Sequence, residues 1–437
     1  MLRGDFSNLP ALGGRGPLRI MFIHTELVVG GAETLLVEII RKLDRTRFAP
    51  ELCCLKGLAE LGEVLAAEIP THSGLLRSKF DIGVIRRLGN LLKEREMDAV
   101  VTVGTGGDRM FWGRLAAWYA GIPVVLSALH STGYPVTVEP INKLLAPITD
   151  GFIGCASAHS KYLASGEGCP PQKVYTVWNG VDVDRFQPGD AAEIRKRIGL
   201  PIDAPVAGIV AALRPEKQHV LLLDAWANVL NRIPKAQLVI VGDGIEREKI
   251  EQRALELGVT QNVHMLGTRH DVHEILTAFD VKILASRMEA NPASTLEANA
   301  CGVPAIAPNV GSLPDTIQDG VTGLLTPPND PEALSIAIQK MLGNLGTAKK
   351  MGQAALKTVR QRFSVEVMVA GYESLIEGLY QAAQNPNFNY TPEDHDAAMD
   401  SRIAAISERR KQASSLAPAY TCLSADQTTS LLPNQLG

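Results

Sequence analysis

From Leu18 onward the chain alternates short, nearly unbroken apolar runs with longer segments whose apolar residues recur every three or four positions. Runs of the first kind read as strands buried on both faces. Segments of the second kind read as helices with one apolar stripe. LRIMFIHT leads through the glycine turn VVGGAE into the helix pattern TLLVEIIRKL, and FAPELCCL, DAVVTVG, IPVVLSALH and GFIGCAS continue the strand series. Helix patterns near LGEVLAAEI, VIRRLGNLLKER and FWGRLAAWYAG lie between them. After VYTVWNGVDVDRFQP the alternation pauses, then restarts at PVAGIVAAL and runs through HVLLLDAWANVLNRI, AQLVIVGDG, VHMLG, VKILAS, PAIAP and LLTPP to DPEALSIAIQKML. Strands alternating with helices of ~10–15 residues predict a parallel, doubly wound sheet. Two such series predict an α/β chain of two Rossmann-like domains facing each other across a cleft, the natural ligand site.

The pattern divides the chain. Residues 1–16, rich in Gly and Pro, are expected to be disordered. Residues 17–190 form an N-terminal Rossmann-like unit and 191–362 a second one, with the join near 186–204. Residues 363–385 read as a helix returning to the first unit. Residues 386–437, with clusters of Asn, Pro, Asp, Ser and Thr, read as a mostly disordered tail with one short charged helix around Ile403 to Lys411.

Composition narrows the class. With 437 residues, 46% hydrophobic and 21% charged, the chain has the make-up of a soluble enzyme of two or three domains. A formal charge of −4 speaks against nucleic-acid binding. Six scattered cysteines, in no metal or redox spacing, read as buried free thiols of a reducing compartment. The start of the chain lacks the apolar core of a signal peptide, and no run reaches the ~20 apolar residues of a membrane span. A cytoplasmic location is expected, with peripheral membrane contact open. The basic segment bearing Arg77, Lys79, Arg86, Arg87, Lys93 and Arg95 is either a surface for anionic headgroups or a solvated helix face.

The candidate chemistry concentrates in SRMEANPASTLEANACGVPAIAP. Glu289 falls on the loop at the carboxyl end of a strand, where ligands bind in an open α/β sheet, and Glu297 on the first turns of the following helix. On one helix two residues at this spacing would stand ~12 Å apart. With the first on the loop, both carboxylates can face one polyhydroxylated ligand. The helix start adds free N–H groups suited to phosphate. Together these point to a nucleotide sugar.

Other elements add to the site. Gly30 and Gly31 open the first helix and allow a ligand close to the backbone, although a plain turn uses them too. They do not form the dinucleotide pattern G-x-G-x-x-G. Arg214 and Lys217 sit at the start of a helix, where cations oppose the dipole, and can neutralise a diphosphate. His130 ends a strand at the edge of the cleft. Gly242, Asp243 and Gly244 form a turn that either flanks a base or is ordinary turn chemistry. His270 and His273 lack a third ligand at metal spacing. No Ser/His/Asp or Cys/His arrangement stands out.

Taken in order, GGAE at 30–33, LH at 129–130, NGVDVDRF at 179–186, LRPEK at 213–217, VGDG at 241–244 and EANPASTLEANACGVP at 289–304 resemble the family 4 retaining glycosyltransferases, with their two-domain GT-B fold. The resemblance runs from about Leu18 to Leu379 and implies specific roles. Glu297 would bind the donor ribose, and Glu289 the transferred sugar. Lys217, beside Gly30 and Gly31, would bind the diphosphate, His130 would lie next to the sugar, and Gly244 and Asn291 would belong to the donor-binding set. Backbone amides at Ser294, Thr295 and Leu296 would meet the phosphates. The chain departs from the family where an arginine usually precedes the lysine by five positions; Ala212 stands there, and Arg214 would substitute. Asp315 stands where glutamate is more usual. The implied activity is retaining transfer, without metal or other cofactor, from a UDP- or GDP-linked sugar to a glycan or lipid-linked acceptor in polysaccharide or glycolipid synthesis. Other readings are a nucleotide-sugar epimerase of similar fold and a catalytically degenerate binding subunit.

Overall fold

The computed structural model describes residues 16–78, 80–104, 110–129 and 139–416, together with 6, 9, 10, 12 and 14. Two parallel sheets organise these residues. In the first, strands β1 (Leu18–His24), β2 (Phe48–Cys54), β3 (Thr71–Ser73), β4 (Ala99–Gly104), β5 (Val124–Leu129), β6 (Gly151–Gly154) and β7 (Val174–Thr176) take the order β3-β2-β1-β4-β5-β6-β7. In the second, β8 (Val206–Val210), β9 (Gln237–Val241), β10 (Val263–Gly267), β11 (Val281–Ile283), β12 (Ala305–Pro308) and β13 (Gly323–Thr326) take the order β10-β9-β8-β11-β12-β13. Every residue of β4, β5, β9 and β12 is buried, as the unbroken apolar runs require of strands covered on both faces. The chain is α/β with two Rossmann-like domains.

The strand order reverses at one place in each sheet, beside β1 and β4 in the first and beside β8 and β11 in the second. Loops leaving neighbouring strands there part to opposite faces and open a crevice at their carboxyl ends. The loops after β8 and β11 carry Lys217 and Glu289. The topology alone therefore brings these two residues to one spot.

The chain passes to the second unit through Asn179–Gly189 and comes back beside the same segment. Val181 bridges Ser364, and a Cβ on Gly180 would stand 2.6 Å from Ser364 O, so the crossing strands nearly touch. The helix Val365–Gln384 then buries Val365, Met368, Tyr372, Leu375 and Ile376 in one core with Leu36 and Ile40 of the helix Gly31–Lys42.

Three expectations change at the ends and edges. Residues 386–416 are not a disordered tail, since a helix spans Pro392–Leu416; residues 417–437 of the expected tail lie outside the described residues. Its apolar residues follow no helical period; what fixes it is Tyr390 and His395, both buried against Tyr175, and ion pairs from Arg402 to Glu373 and Glu377, each at 3.2 Å. At the other end Leu9 and Leu12 pack on the first core, and Tyr380 Oη donates to Pro10 O at 3.3 Å, so disorder over 1–16 does not extend to these residues. Helices Ser157–Gly166 and Leu345–Arg362 also add to the elements expected. Cys53, Cys54, Cys155, Cys169 and Cys301 are buried free thiols, and Cys422 lies outside the described residues. No described helix is long and apolar enough to cross a membrane.

Candidate active site

The loop after β8 is shaped by glycine. A Cβ on Gly242 (φ +137°) would lie 2.0 Å from Ala211 O, and one on Gly244 (φ +157°) 2.6 Å from Leu213 O. The turn after β9 thus presses directly on the 211–217 loop, and Leu213 N donates to Asp243 O at 3.0 Å. A side chain at Gly244 would break this close packing. The loop ends in the short turn Pro215–Lys217, which lifts Lys217 toward β11.

The loop after β11 is held just as closely. Glu289 is 7% exposed, and its backbone is gripped by Gly311 (φ +54°), where a Cβ would fall 1.8 Å from Glu289 O. Ser312 Oγ donates to Ala290 O beside it. Asn291 Nδ2 donates to Cys155 O of the first unit at 2.8 Å, and Asn179 Nδ2 donates to Asn291 O at 2.9 Å. The Ala158 N–H donates to Asp315 Oδ2 at 3.1 Å, a second tie between the units. Asn291 and Asp315 therefore join the domains at the site; one N–H of the Asn291 carboxamide makes that tie, and its buried Oδ1 has no hydrogen-bond partner.

Between these loops Lys217 Nζ lies 2.6 Å from Glu289 Oε1. Arg214 is exposed and stands outside this contact; its carbonyl accepts the Lys217 N–H at 3.0 Å, while Ala212 beside it offers no charge. The helix Ala293–Ala300 begins beyond Glu289 without any side-chain cap, its N-cap being Pro292. Uncapped N–H groups facing a cleft are suited to an anion. The Thr295 N–H is already taken by Pro292 O at 3.0 Å, and Leu296 is a core side chain, so Ser294 is the most open of the three residues expected to meet phosphate.

Sequence reasoning missed Lys282. It lies in β11 with no exposed surface, and its ammonium donates to Ser294 Oγ at 3.1 Å and to Thr295 Oγ1 at 2.9 Å. Burial pushes its pKa down to about 7, against the pull of Glu289 and Glu297 and with the repulsion of Lys217. Glu297, half-buried on the second turn of the helix, is pushed up to about 7 by burial, against Lys282 and Arg185. The available signal was a lysine inside an apolar run on a strand covered on both faces, where charge is rarely tolerated without a purpose.

On the facing unit, Gly30 is the N-cap of the first helix, and a Cβ there would lie 2.3 Å from the Glu33 carboxylate, which folds back over it. A Cβ on Gly31 would meet nothing within 4 Å, so protein packing leaves open space there. His24, at the carboxyl end of β1, lies 3.7 Å from Glu33, and burial holds its pKa below the ordinary value. His130 lies outside the described residues. Among the described residues no group of three His, Cys, Asp or Glu side chains is placed to hold a metal. A cavity of about 1020 Å³ beside Tyr175 and Tyr390 lies by Pro123 and Asp150, at the amino ends of β5 and β6, and takes no part in this site.

Comparison with known proteins agrees with this arrangement across both units. Residues 29–185 match the family model Glycosyltransferase Family 4, and residues 190–358 match Glycosyl transferases group 1. The chain belongs to glycosyltransferase family 4. It is 27% identical to the putative glycosyltransferase EpsF of Bacillus subtilis over 73% of this chain and 85% of that one. It is 32% identical to a D-inositol 3-phosphate glycosyltransferase of Geodermatophilus obscurus over 54% of this chain and 55% of that one. The chain thus spans only about half the length of that second relative. Among solved structures, Anabaena HepE in complex with UDP and glucose superposes with a TM-score of 0.72 at 20% identity, covering 82% of this chain and 99% of that one. A glycosyltransferase from Rickettsia africae gives 0.73 at 20% identity, covering 83% and 98%. These likenesses establish the GT-B fold of this family 4 member.

Proposed function

We propose that this glycosyltransferase moves a sugar, with retention of anomeric configuration and without a metal, from a UDP- or GDP-linked donor to a glycan or lipid-linked acceptor in cell-surface polysaccharide or glycolipid synthesis. The observation that carries the reading is the Lys217–Glu289 contact of 2.6 Å, set beside an uncapped helix start. Lys217 would leave Glu289 for the diphosphate and stabilise its departure, and Glu289 would then accept hydrogen bonds from hydroxyls of the sugar. Stabilising a leaving group electrostatically in this way is commonly the largest catalytic contribution. The acceptor hydroxyl would attack from the face that the diphosphate leaves, a phosphate oxygen taking its proton. Glu297 would receive the ribose hydroxyls. The donor proposal is supported by HepE, whose solved complexes contain UDP, UDP and glucose, and UDP-glucose.

Peripheral contact with a membrane is part of the proposal. Arg87 and Arg95 of the basic segment are paired with Asp81 and Glu51, and Lys93 lies over the Tyr119 ring, so those three are engaged within the protein. Phe80 and Ile82, 81% and 72% exposed beside exposed Arg77 and Arg86, supply the apolar and basic mixture that an interface favours. Lys79 lies outside the described residues.

The test is incubation with UDP- and GDP-sugars, with and without membrane extract, and with D-inositol 3-phosphate among the acceptors. Acceptor-dependent release of nucleoside diphosphate supports transfer, and the anomeric coupling constant of the product reads retention. A changed donor sugar without acceptor would identify an epimerase. Binding without turnover would identify a degenerate subunit. Full activity in EDTA supports metal independence, and its loss with rescue by a divalent cation would refute it.

A further inference from the structure

We propose that Lys282 is a positioning residue for the donor diphosphate, turning the Ser294 hydroxyl into a fixed O–H donor and placing under the site the positive charge that Ala212 does not provide. The inference rests on the donor reading above. An ammonium has three N–H donors and no acceptor, and a hydroxyl has one proton and two lone pairs. Lys282 donates upward to Ser294 Oγ at 3.1 Å and to Thr295 Oγ1 at 2.9 Å. Each hydroxyl therefore uses a lone pair toward the sheet and must send its own proton elsewhere. Thr295 is 1% exposed and closes the cage, while the partly exposed Ser294 stands on the uncapped first turn.

Packing does not ask for a lysine here. Replacing a whole buried ion pair by apolar side chains of like volume is often neutral or stabilising, so a buried strand gains nothing in stability from carrying a charge. The charged groups that act on the ammonium are Glu289, Glu297 and Lys217, the same residues that frame the donor site from the two loops and the helix. Attraction from the carboxylates keeps a cation tolerable in a fully buried strand. A bound diphosphate would add to that attraction. Arg214 is exposed and outside the Lys217–Glu289 contact, so no ion pair fixes its charge in the site, whereas Lys282 holds a charge in place from the floor.

The test is calorimetric titration of the full chain with UMP, UDP, GMP and GDP at about pH 6, where Lys282 is an ammonium. The parent should bind at least one diphosphate more tightly than its monophosphate; if it binds none, the donor reading fails and this inference with it. Given that preference, Lys282→Met should shrink it about tenfold, the size of one charge-assisted interaction, while monophosphate affinity is kept and Tm is not lowered. Ser294→Ala should act in the same direction, and the double variant should be no weaker than the worse single one, as expected of groups acting in series. An unchanged diphosphate preference in Lys282→Met would overturn the proposal. So would equal loss of mono- and diphosphate together with a lower Tm, the mark of a packing role. Should Lys282→Met fail to fold, Lys282→Gln, which keeps N–H donors without the charge, must still lose part of the preference, and an unchanged value there overturns the proposal equally.

Discussion

Lys217 Nζ and Glu289 Oε1 meet at 2.6 Å although they come from different loops, because β8 and β11 are neighbours at the point where the strand order reverses. On the proposed donor reading, each residue occupies the other's place for substrate. Glu289→Ala should therefore cut turnover about a hundredfold, in the range seen when one transition-state contact is lost, yet leave UDP or GDP binding as tight as before or tighter, since Lys217 is released. Lys217→Ala should weaken the same nucleotides about tenfold or more. Steady-state turnover and calorimetry on the two variants check this. Weaker diphosphate binding in Glu289→Ala would show that the carboxylate helps hold the anion rather than competing for the lysine.

Glu297 and Lys282 give opposite pH signatures. A carboxyl whose folded pKa is raised from 4.5 to about 7 holds a proton that the unfolded chain has lost, so it removes stability as pH rises between those values. An ammonium lowered from 10.5 to about 7 is neutral in the fold while still charged in the unfolded chain, so it restores stability as pH rises from about 7 to 10.5. Glu297→Gln should gain on the parent between pH 4.5 and 7, and the advantage of Lys282→Met should shrink above pH 7. Urea midpoints at pH 5, 7 and 9 read both. Glu297→Ala should in addition abolish donor binding; unchanged affinity would refute the ribose assignment.

The two series of strands were legible because β4, β5, β9 and β12 bury both faces and so write unbroken apolar runs. Strands β3 and β7 have three residues each, too few to show a period. Glu289 and Glu297 could be read because polar residues crowd the end of a strand. Lys282 was hidden by its neighbours: pattern reading sees a strand, and only its two hydroxyl partners show what the charge does. The helix Pro392–Leu416 was hidden for the opposite reason, since it is held by single inserted rings and ion pairs rather than by an apolar stripe.

Gly311 is a conformational and steric requirement of the same site. At φ +54° a non-glycine residue costs roughly 1 kcal/mol or more in backbone strain, and a Cβ 1.8 Å from Glu289 O forces one loop to move. Gly311→Ala should displace the Glu289 carboxylate and lower turnover at least about tenfold, a displacement of ~1 Å being enough for such losses. The fold should persist, because Leu313 and Ile317 anchor the segment in their own cluster. Turnover and the near-ultraviolet circular dichroism of the variant separate the two effects.

His395 makes the docking of the last helix sensitive to acid. The ring has no exposed surface; Tyr390 Oη lies 3.3 Å from its Nδ1, and the Tyr175 ring stands edge-on at 5.8 Å. Burial pushes its pKa down to about 4, helped by Arg402 and opposed by the nearby Thr176 backbone. Between about 4 and 6.5 the undocked ring takes up a proton that the docked ring refuses, so docking weakens as pH falls through that window. The connection at 385–391 should then become open to protease near pH 5 while resisting it at pH 7.5. His395→Gln cannot take up that proton, so its susceptibility should be the same at both values, whatever its absolute level. Equal resistance of the parent at pH 5 and 7.5 would mean that the ion pairs of Arg402, not the ring, decide whether the helix stays in place.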